Sequence, residues 1–477
     1  MTFTTIQFAI FMAVLFISYY VIPKKFQWMV LLSGNMVFYC FAGIKSLVFL
    51  LCVMLFTYLF GILVAKSEKR KGLLLFFCVS VIICIMCIMR MGFSSYIKPL
   101  GLSYYALMCL SYVVNVYWGM SKAEYNPLKL MLYISYFPHV IQGPFDDVNE
   151  LKDSFFKEHN FDYDYSCRCI IRIGYGLMKK LVLADRIGNI VANVFNSPSD
   201  YYGLTVVMCV VLYAFELYAD FSGYMDIAVG CSGLFGIKIK ENFNVPFLAK
   251  SMEEFWRRWH MSLGIWFKNY VFYGVQRWKI CGLIRSAMKK RKNKYLMKTL
   301  PTVIGLTVVW TLIGLWHGFD PNYLLYDWTC GVIIILSEIL VPVYAAINNK
   351  NKRISGSGLM NALRVIRTFI LVALTFVIFR ASTVSDAFLI IRNMFTSSGI
   401  SKACEYIYWN VYDFFLITPA FIVLIVVDIL KYRNVDITEK IKKINPVCRY
   451  CIYIIGLLYI YIARHNGETV GFAYSIF

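Results

Sequence analysis

Charge is what this sequence has least of. Asp, Glu, Lys and Arg make up only 16% of its 477 residues, against roughly 25% in soluble domains. Acidic side chains are the scarcer half, 27 against 48 basic ones. So few polar groups cannot cover a water-facing surface, which excludes an ordinary soluble enzyme and a disordered chain. Histidine is rarer still, with five in all. There is no G-x-S-x-G elbow, no G-x-x-x-x-G-K-[ST] phosphate loop and no H-E-x-x-H zinc motif. No internal repeat or low-complexity linker divides the chain, so a single domain over 1–477 is expected, with its core at about 99–345.

What is present is apolar: 60% hydrophobic residues and a mean hydropathy of +0.63. This is the composition of a polytopic membrane protein. Candidate spans lie at about 5–22, 27–44, 46–65, 72–90, 99–118, 128–142, 168–185, 204–232, 301–318, 322–344, 365–380, 413–430 and 450–463. Several are short or polar against the roughly 20 apolar residues a spanning helix needs, so roughly 11–13 membrane helices are expected, some re-entrant.

The cations sit between these runs rather than in a basic stripe with interleaved aromatics, which argues against nucleic acid. Lys24 and Lys25, Lys66 to Lys71, the 277–298 stretch, Lys350, Lys352 and Arg353, and 431–443 read as cytoplasmic loops, with the N-terminus outside. The 277–298 stretch also suits docking of an acidic cytoplasmic carrier. The N-terminus lacks a basic n-region and a small-residue cleavage site, so it does not read as a cleavable signal. The 15 cysteines lie mostly inside apolar segments. The C-x-x-C pairs Cys84/Cys87 and Cys448/Cys451 have no further ligand nearby, so reduced packing cysteines are expected rather than a metal site.

Chemistry concentrates in 213–275. Glu216, Asp220 and Asp226 fall within or beside an otherwise apolar span, where ionisable groups face a cavity or a partner. They read either as buried partners of Arg or Lys or as acceptor-binding groups. Between Asp220 and Asp226, Gly223 permits close helix contact. Asn242-Phe243-Asn244-Val245-Pro246-Phe247 is a turn signal, and Ser251-x-x-Glu254 is a capping-box pattern. Phe255-Trp256-Arg257-Arg258-Trp259-His260 is too aromatic and too charged to span, so it is expected at the interface or dipping into the protein. Arg257 and Arg258 suit pairing with the upstream carboxylates or with an anionic donor. Further on, Gly314-Leu315-Trp316-His317-Gly318 closes an apolar run with no other ionisable group. An imidazole there either takes the proton of an attacking hydroxyl or is a hydrogen-bonded structural group.

These pieces come in order with Pro99-Leu100-Gly101-Leu102-Ser103-Tyr104-Tyr105, Tyr136-Phe137-Pro138-His139-Val140-Ile141-Gln142-Gly143-Pro144-Phe145, Gly176-Leu177-Met178-Lys179-Lys180, Ala184-Asp185-Arg186 and Phe379-Arg380-Ala381. Together they resemble the membrane-bound O-acyltransferase family over most of the chain. Within it the sequence is similar to the bacterial branch of alginate O-acetylation and D-alanyl transfer proteins. It departs from that branch at Tyr273-Gly274-Val275-Gln276, where Pro-Leu-Gly-Gly is usual, and at His139 and Gln142.

The resemblance implies an all-helical bundle around a central tunnel, with His317 at the family's key histidine and His260 at the second histidine of the branch. Asp220, Asp226, Trp256, Arg257, Arg258 and Trp316 are the expected substrate or tunnel residues. The implied donor is cytoplasmic acetyl-coenzyme A or an acylated carrier protein, with no metal and no permanently bound cofactor. The implied acceptor is an extracytoplasmic glycan, reached directly or through a secreted esterase-like partner. The expected setting is the bacterial cytoplasmic membrane, and the expected activity O-acetylation of an envelope polysaccharide. D-alanyl transfer to teichoic acid is the close alternative. A glycan or lipid transporter is the alternative of another class, since intramembrane charges also mark ion paths.

Overall fold

The computed structural model describes residues 1–91, 99–350, 357–397 and 400–465, with the side chains of 348–350 excepted. Lys352 and Arg353, named above as loop cations, lie outside these residues, as does the side chain of Lys350. The described chain is helical, and its one extended pairing is an isolated antiparallel bridge between Phe243 and Trp259. This follows from composition: an apolar segment in lipid must bond its backbone internally, and the helix does so within one segment.

Seven helices are long and apolar enough to cross a membrane: Ile44–Lys66, Lys71–Arg90, Leu204–Leu234, Lys294–His317, Gly358–Arg380, Val411–Tyr432 and Pro446–Ala463. An eighth candidate is the pair Pro321–Ile339 and Val341–Ile347, bent by 58° at Leu340. Ile6–Val21, Gln27–Ala42 and Leu102–Trp118 are shorter. The 128–142 run breaks at Tyr136 into Pro127–Ser135 and Phe137–Val140. The expectation of an all-helical, polytopic membrane protein therefore holds.

Among the described residues, two compact units form: those within 1–182, 219–241 and 446–465 make one, and those within 183–218 and 242–445 the other. The Leu204–Leu234 helix contributes to both. Its apolar window is 61% buried, against 6% for Pro446–Ala463, so only the latter keeps nearly its whole apolar surface outward, as lipid allows.

In the first unit, helices Tyr163–Met178 and Leu204–Leu234 touch backbone to backbone. A Cβ on Gly176 would lie 2.6 Å from the Gly223 carbonyl, and one on Gly223 would lie 2.9 Å from that of Gly176. Only glycine allows this approach, as the sequence suggested for Gly223.

Candidate functional site

In the second unit, helices Lys294–His317 and Pro321–Ile339 follow each other across a short turn and pack together. Glycine notches set their spacing. A Cβ on Gly331 would meet the Trp310 ring at 2.7 Å, and one on Gly314 would meet Leu324 at 3.1 Å. The turn is equally tight, because a Cβ on Gly318 would lie 2.6 Å from the Tyr323 ring. This packing brings together two residues ten positions apart: His317 Nδ1 lies 2.7 Å from Asp327 Oδ2. Their side chains are 2% and 0% exposed. Around the imidazole stand the rings of Trp316 at 5.1 Å, Phe379 at 5.8 Å and Tyr326 at 6.3 Å. The Phe379-Arg380-Ala381 piece is anchored to the same helix, as Asn322 Nδ2 donates to the Ala381 carbonyl at 2.6 Å.

His260 is held differently. It caps the short helix Met261–Phe267 in a left-handed conformation, φ 47° and ψ 48°. Val245, across the bridge, is also left-handed at φ 47°, an unusual state for a β-branched residue. What fixes both is the turn the sequence marked. Asn244 N–H donates to the Arg258 carbonyl at 2.9 Å, and Met261 N–H to the Asn242 carbonyl at 3.1 Å. Ser262 N–H donates to Asn242 Oδ1 at 2.8 Å. Behind them Trp259, wholly buried, packs on Phe243, Phe255 and Phe376. Local strain of this kind persists only where the surroundings over-determine it. His260 is itself buried. Burial, and behind it the neighbouring His317, push its pKa well below the ordinary imidazole range, so its resting ring is neutral.

A cavity of about 610 Å³ opens beside this segment. Its wall includes His260, Trp256, Trp259, Trp310 and Phe272, with Glu253, Arg257 and Lys268 also lining it. Those three charged side chains are exposed, while Trp259, His260 and Trp310 are buried, so the cavity has a net cationic rim and an apolar floor. Lys268 and Phe272 lie on a π-helical turn, Lys268–Phe272, a feature frequent at functional sites. His317 stands one ring further in: the Trp316 ring lies 6.3 Å from His260 and 5.1 Å from His317.

Other flagged residues are placed elsewhere or otherwise engaged. Arg257 and Arg258 pair with Glu253 at 3.2 Å and Glu254 at 2.8 Å, one helical turn back, not with the 216–226 carboxylates. Arg258 also donates to the Asn244 carbonyl at 3.3 Å. Asp220 and Asp226 belong to the first unit. There Lys180 meets Asp220 at 2.6 Å, and Lys179 and Arg172 meet Asp226 at 2.5 and 2.9 Å. Arg172 in turn grips both oxygens of Glu241 at 2.6 Å. His139, one of the departures noted above, sits 3.1 Å from buried Asp146. Among the described residues no three His, Cys, Asp or Glu side chains converge as a metal site.

Asp327 is the residue the sequence reading passed over. Its signal was present: it is the one charged side chain between Pro321 and Ser337, and a lone carboxylate at membrane depth implies a partner.

The pattern of the family described as MBOAT, membrane-bound O-acyltransferase family, matches residues 120–380, which include all the groups just described around His317 and His260. A probable alginate O-acetylase of Pseudomonas aeruginosa is 26% identical over 412 residues, covering 81% of this chain and 73% of that protein. A peptidoglycan O-acetyltransferase of Helicobacter pylori is 24% identical over 451 residues, 82% of this chain and 79% of that protein. A teichoic acid D-alanyltransferase of Bacillus subtilis is 29% identical over 289 residues, 59% of this chain and 69% of that protein.

Proposed function

Since the chain belongs to the membrane-bound O-acyltransferase family, we propose that this membrane enzyme moves an acetyl group from a cytoplasmic thioester to a hydroxyl of an envelope or exported polysaccharide. The donor is acetyl-coenzyme A or an acylated carrier protein. The hydroxyl belongs to the glycan itself or to a secreted esterase-like partner that completes transfer. One observation carries the reading: a buried imidazole, His317, ends a helix that holds no charged residue after Lys298, one ring away from a cavity whose wall holds a second buried imidazole, His260.

His317 takes the proton of the attacking hydroxyl as its oxygen bonds to the thioester carbonyl carbon. The carbonyl oxygen becomes an oxyanion, steadied by His260 or a backbone N–H beside it. Collapse breaks the carbon–sulfur bond, and the leaving thiolate takes the proton back from His317. The products are an ester and a free thiol, and His317 is returned to its starting state. The apolar floor of the cavity keeps water from the thioester and strengthens each polar contact. The cationic rim, with Arg257 and Lys268 against Glu253, favours an anionic donor.

Acetyl is preferred over D-alanyl because the two O-acetyltransferase relatives named above match over 81–82% of this chain, and the D-alanyltransferase over 59%. Mild alkali treatment of cell envelopes with and without the protein decides between them. Released acetate that depends on the protein supports the proposal; D-alanine in its place assigns the other acyl group; no released acid overturns both.

A further inference from the structure

We infer that Asp327 is a positioning residue for His317: it holds the imidazole with its proton on Nδ1, so that Nε2 is the nitrogen that receives the hydroxyl proton. The inference rests on His317 being the base.

A 2.7 Å contact between Nδ1 and Oδ2 needs one proton between the two atoms. Either an ionised carboxylate accepts from Nδ1–H, or a protonated carboxyl donates to a bare Nδ1. The two arrangements assign opposite roles to the ring. The first makes Nε2 an acceptor. The second places the ring proton on Nε2, which then cannot accept another. Beside an ionised carboxylate the neutral ring has one proton to place: on Nδ1 it makes the 2.7 Å bond to Oδ2, while on Nε2 it leaves two bare lone pairs facing each other. The reaction itself favours the same arrangement. When the ring takes a second proton it becomes the cation of a buried ion pair with Asp327, so proton uptake cancels a buried charge instead of creating one.

Asp327 is not explained as structural cement. Its other oxygen, Oδ1, has no hydrogen-bond partner among the described residues, and its side chain is wholly buried. The helix pair around it is already fixed by the Gly314 and Gly331 notches. A buried carboxylate with half its bonding capacity unused is expensive, and an apolar residue would pack there more cheaply. What an apolar residue cannot do is set the tautomer of the adjacent imidazole.

The test reads the ring directly. In protein carrying isotopically labelled histidine, nitrogen NMR distinguishes the two tautomers, and with five histidines the His317 signal is the one lost in His317→Gln. The wild type is expected to show a single tautomer protonated on Nδ1, and Asp327→Asn a signal shifted towards the other. A wild-type proton on Nε2, or a His317 signal unchanged in Asp327→Asn, overturns the inference. Activity supplies the second arm. Asp327→Asn is expected to lower acyl transfer by about 10²–10⁴, and the double variant with His317→Gln to be no worse than His317→Gln alone, because residues acting as a unit are non-additive. A further loss in the double variant would show Asp327 acting independently and overturn the inference. If His317→Gln itself keeps transfer, the base assignment falls, while the tautomer result still reports on Asp327.

Discussion

Two regions of this molecule bury ionisable groups among apolar helices, and they solve the cost in opposite ways. In the first unit buried Asp220 and Asp226 are matched by Lys180, Lys179 and Arg172 at 2.5–2.9 Å, and Arg172 also reaches exposed Glu241. Each of these charges meets its opposite. In the second unit two imidazoles and one carboxylate share the site, with His317 and Asp327 meeting at 2.7 Å and a cavity alongside. A charge at membrane depth is therefore a weak pointer to chemistry. The stronger pointer is a weak base beside a cavity whose partner leaves it able to take and return a proton.

The sharpest way to break this contrast is to unpair the first region. Asp220→Asn leaves Lys180 buried without its anion, at a cost of about 3–5 kcal/mol, so folded yield and detergent thermal stability should fall steeply. Asp220→Asn with Lys180→Met should recover much of that stability, with acyl transfer per folded molecule near wild type. Intact stability with lost transfer in the single variant would instead place Asp220 on the substrate.

Next in size is His260. His260→Ala removes the donor and should lower transfer by about 10²–10³. Its left-handed backbone also makes Ala about 1–2 kcal/mol less favourable, whereas Asn tolerates that conformation. His260→Asn, which keeps an amide N–H, is thus expected to retain more transfer than Ala at wild-type stability. Equal loss in both variants, tracking loss of folded protein, would make His260 structural. Because burial and His317 depress the pKa of His260, the unfolded state binds its proton more readily. Stability from this group is then complete above about pH 6.5 and is lost as pH falls below it. His260→Asn should blunt that acid sensitivity in a pH series of thermal melts.

The smallest effect belongs to the cavity rim. Arg257 and Glu253 are both well exposed, and such pairs contribute about 0–1 kcal/mol. Arg257→Gln should leave stability unchanged and raise the KM for an anionic thioester donor only a few-fold, more at low salt than at high. A large drop in kcat would move Arg257 into the chemistry.

Much of this was legible in the sequence because it is written locally. The apolar runs, the turn at Asn242–Phe247 and the lone histidine closing an uncharged run each depend on a few adjacent residues, and the structure places them accordingly. The partners of Arg257 and Arg258 were harder to foresee. Distant buried carboxylates looked attractive, but helical spacing gave Glu253 and Glu254 the advantage. Asp327 was missed for a different reason. Its role depends on two helices meeting at Gly314 and Gly331, and which glycines face a neighbouring helix is not a property of one segment.

The central claim is that His317 accepts the proton of the attacking hydroxyl, and His317→Gln tests it most directly. Gln keeps a hydrogen-bonding side chain but is not a base at neutral pH. With expression and detergent stability near wild type, alkali-labile acyl groups on the envelope polysaccharide should form more slowly by about 10²–10⁴. Retention of more than about a tenth of the wild-type rate, well outside that range, would contradict the account and leave His317 as a structural or acceptor-positioning residue.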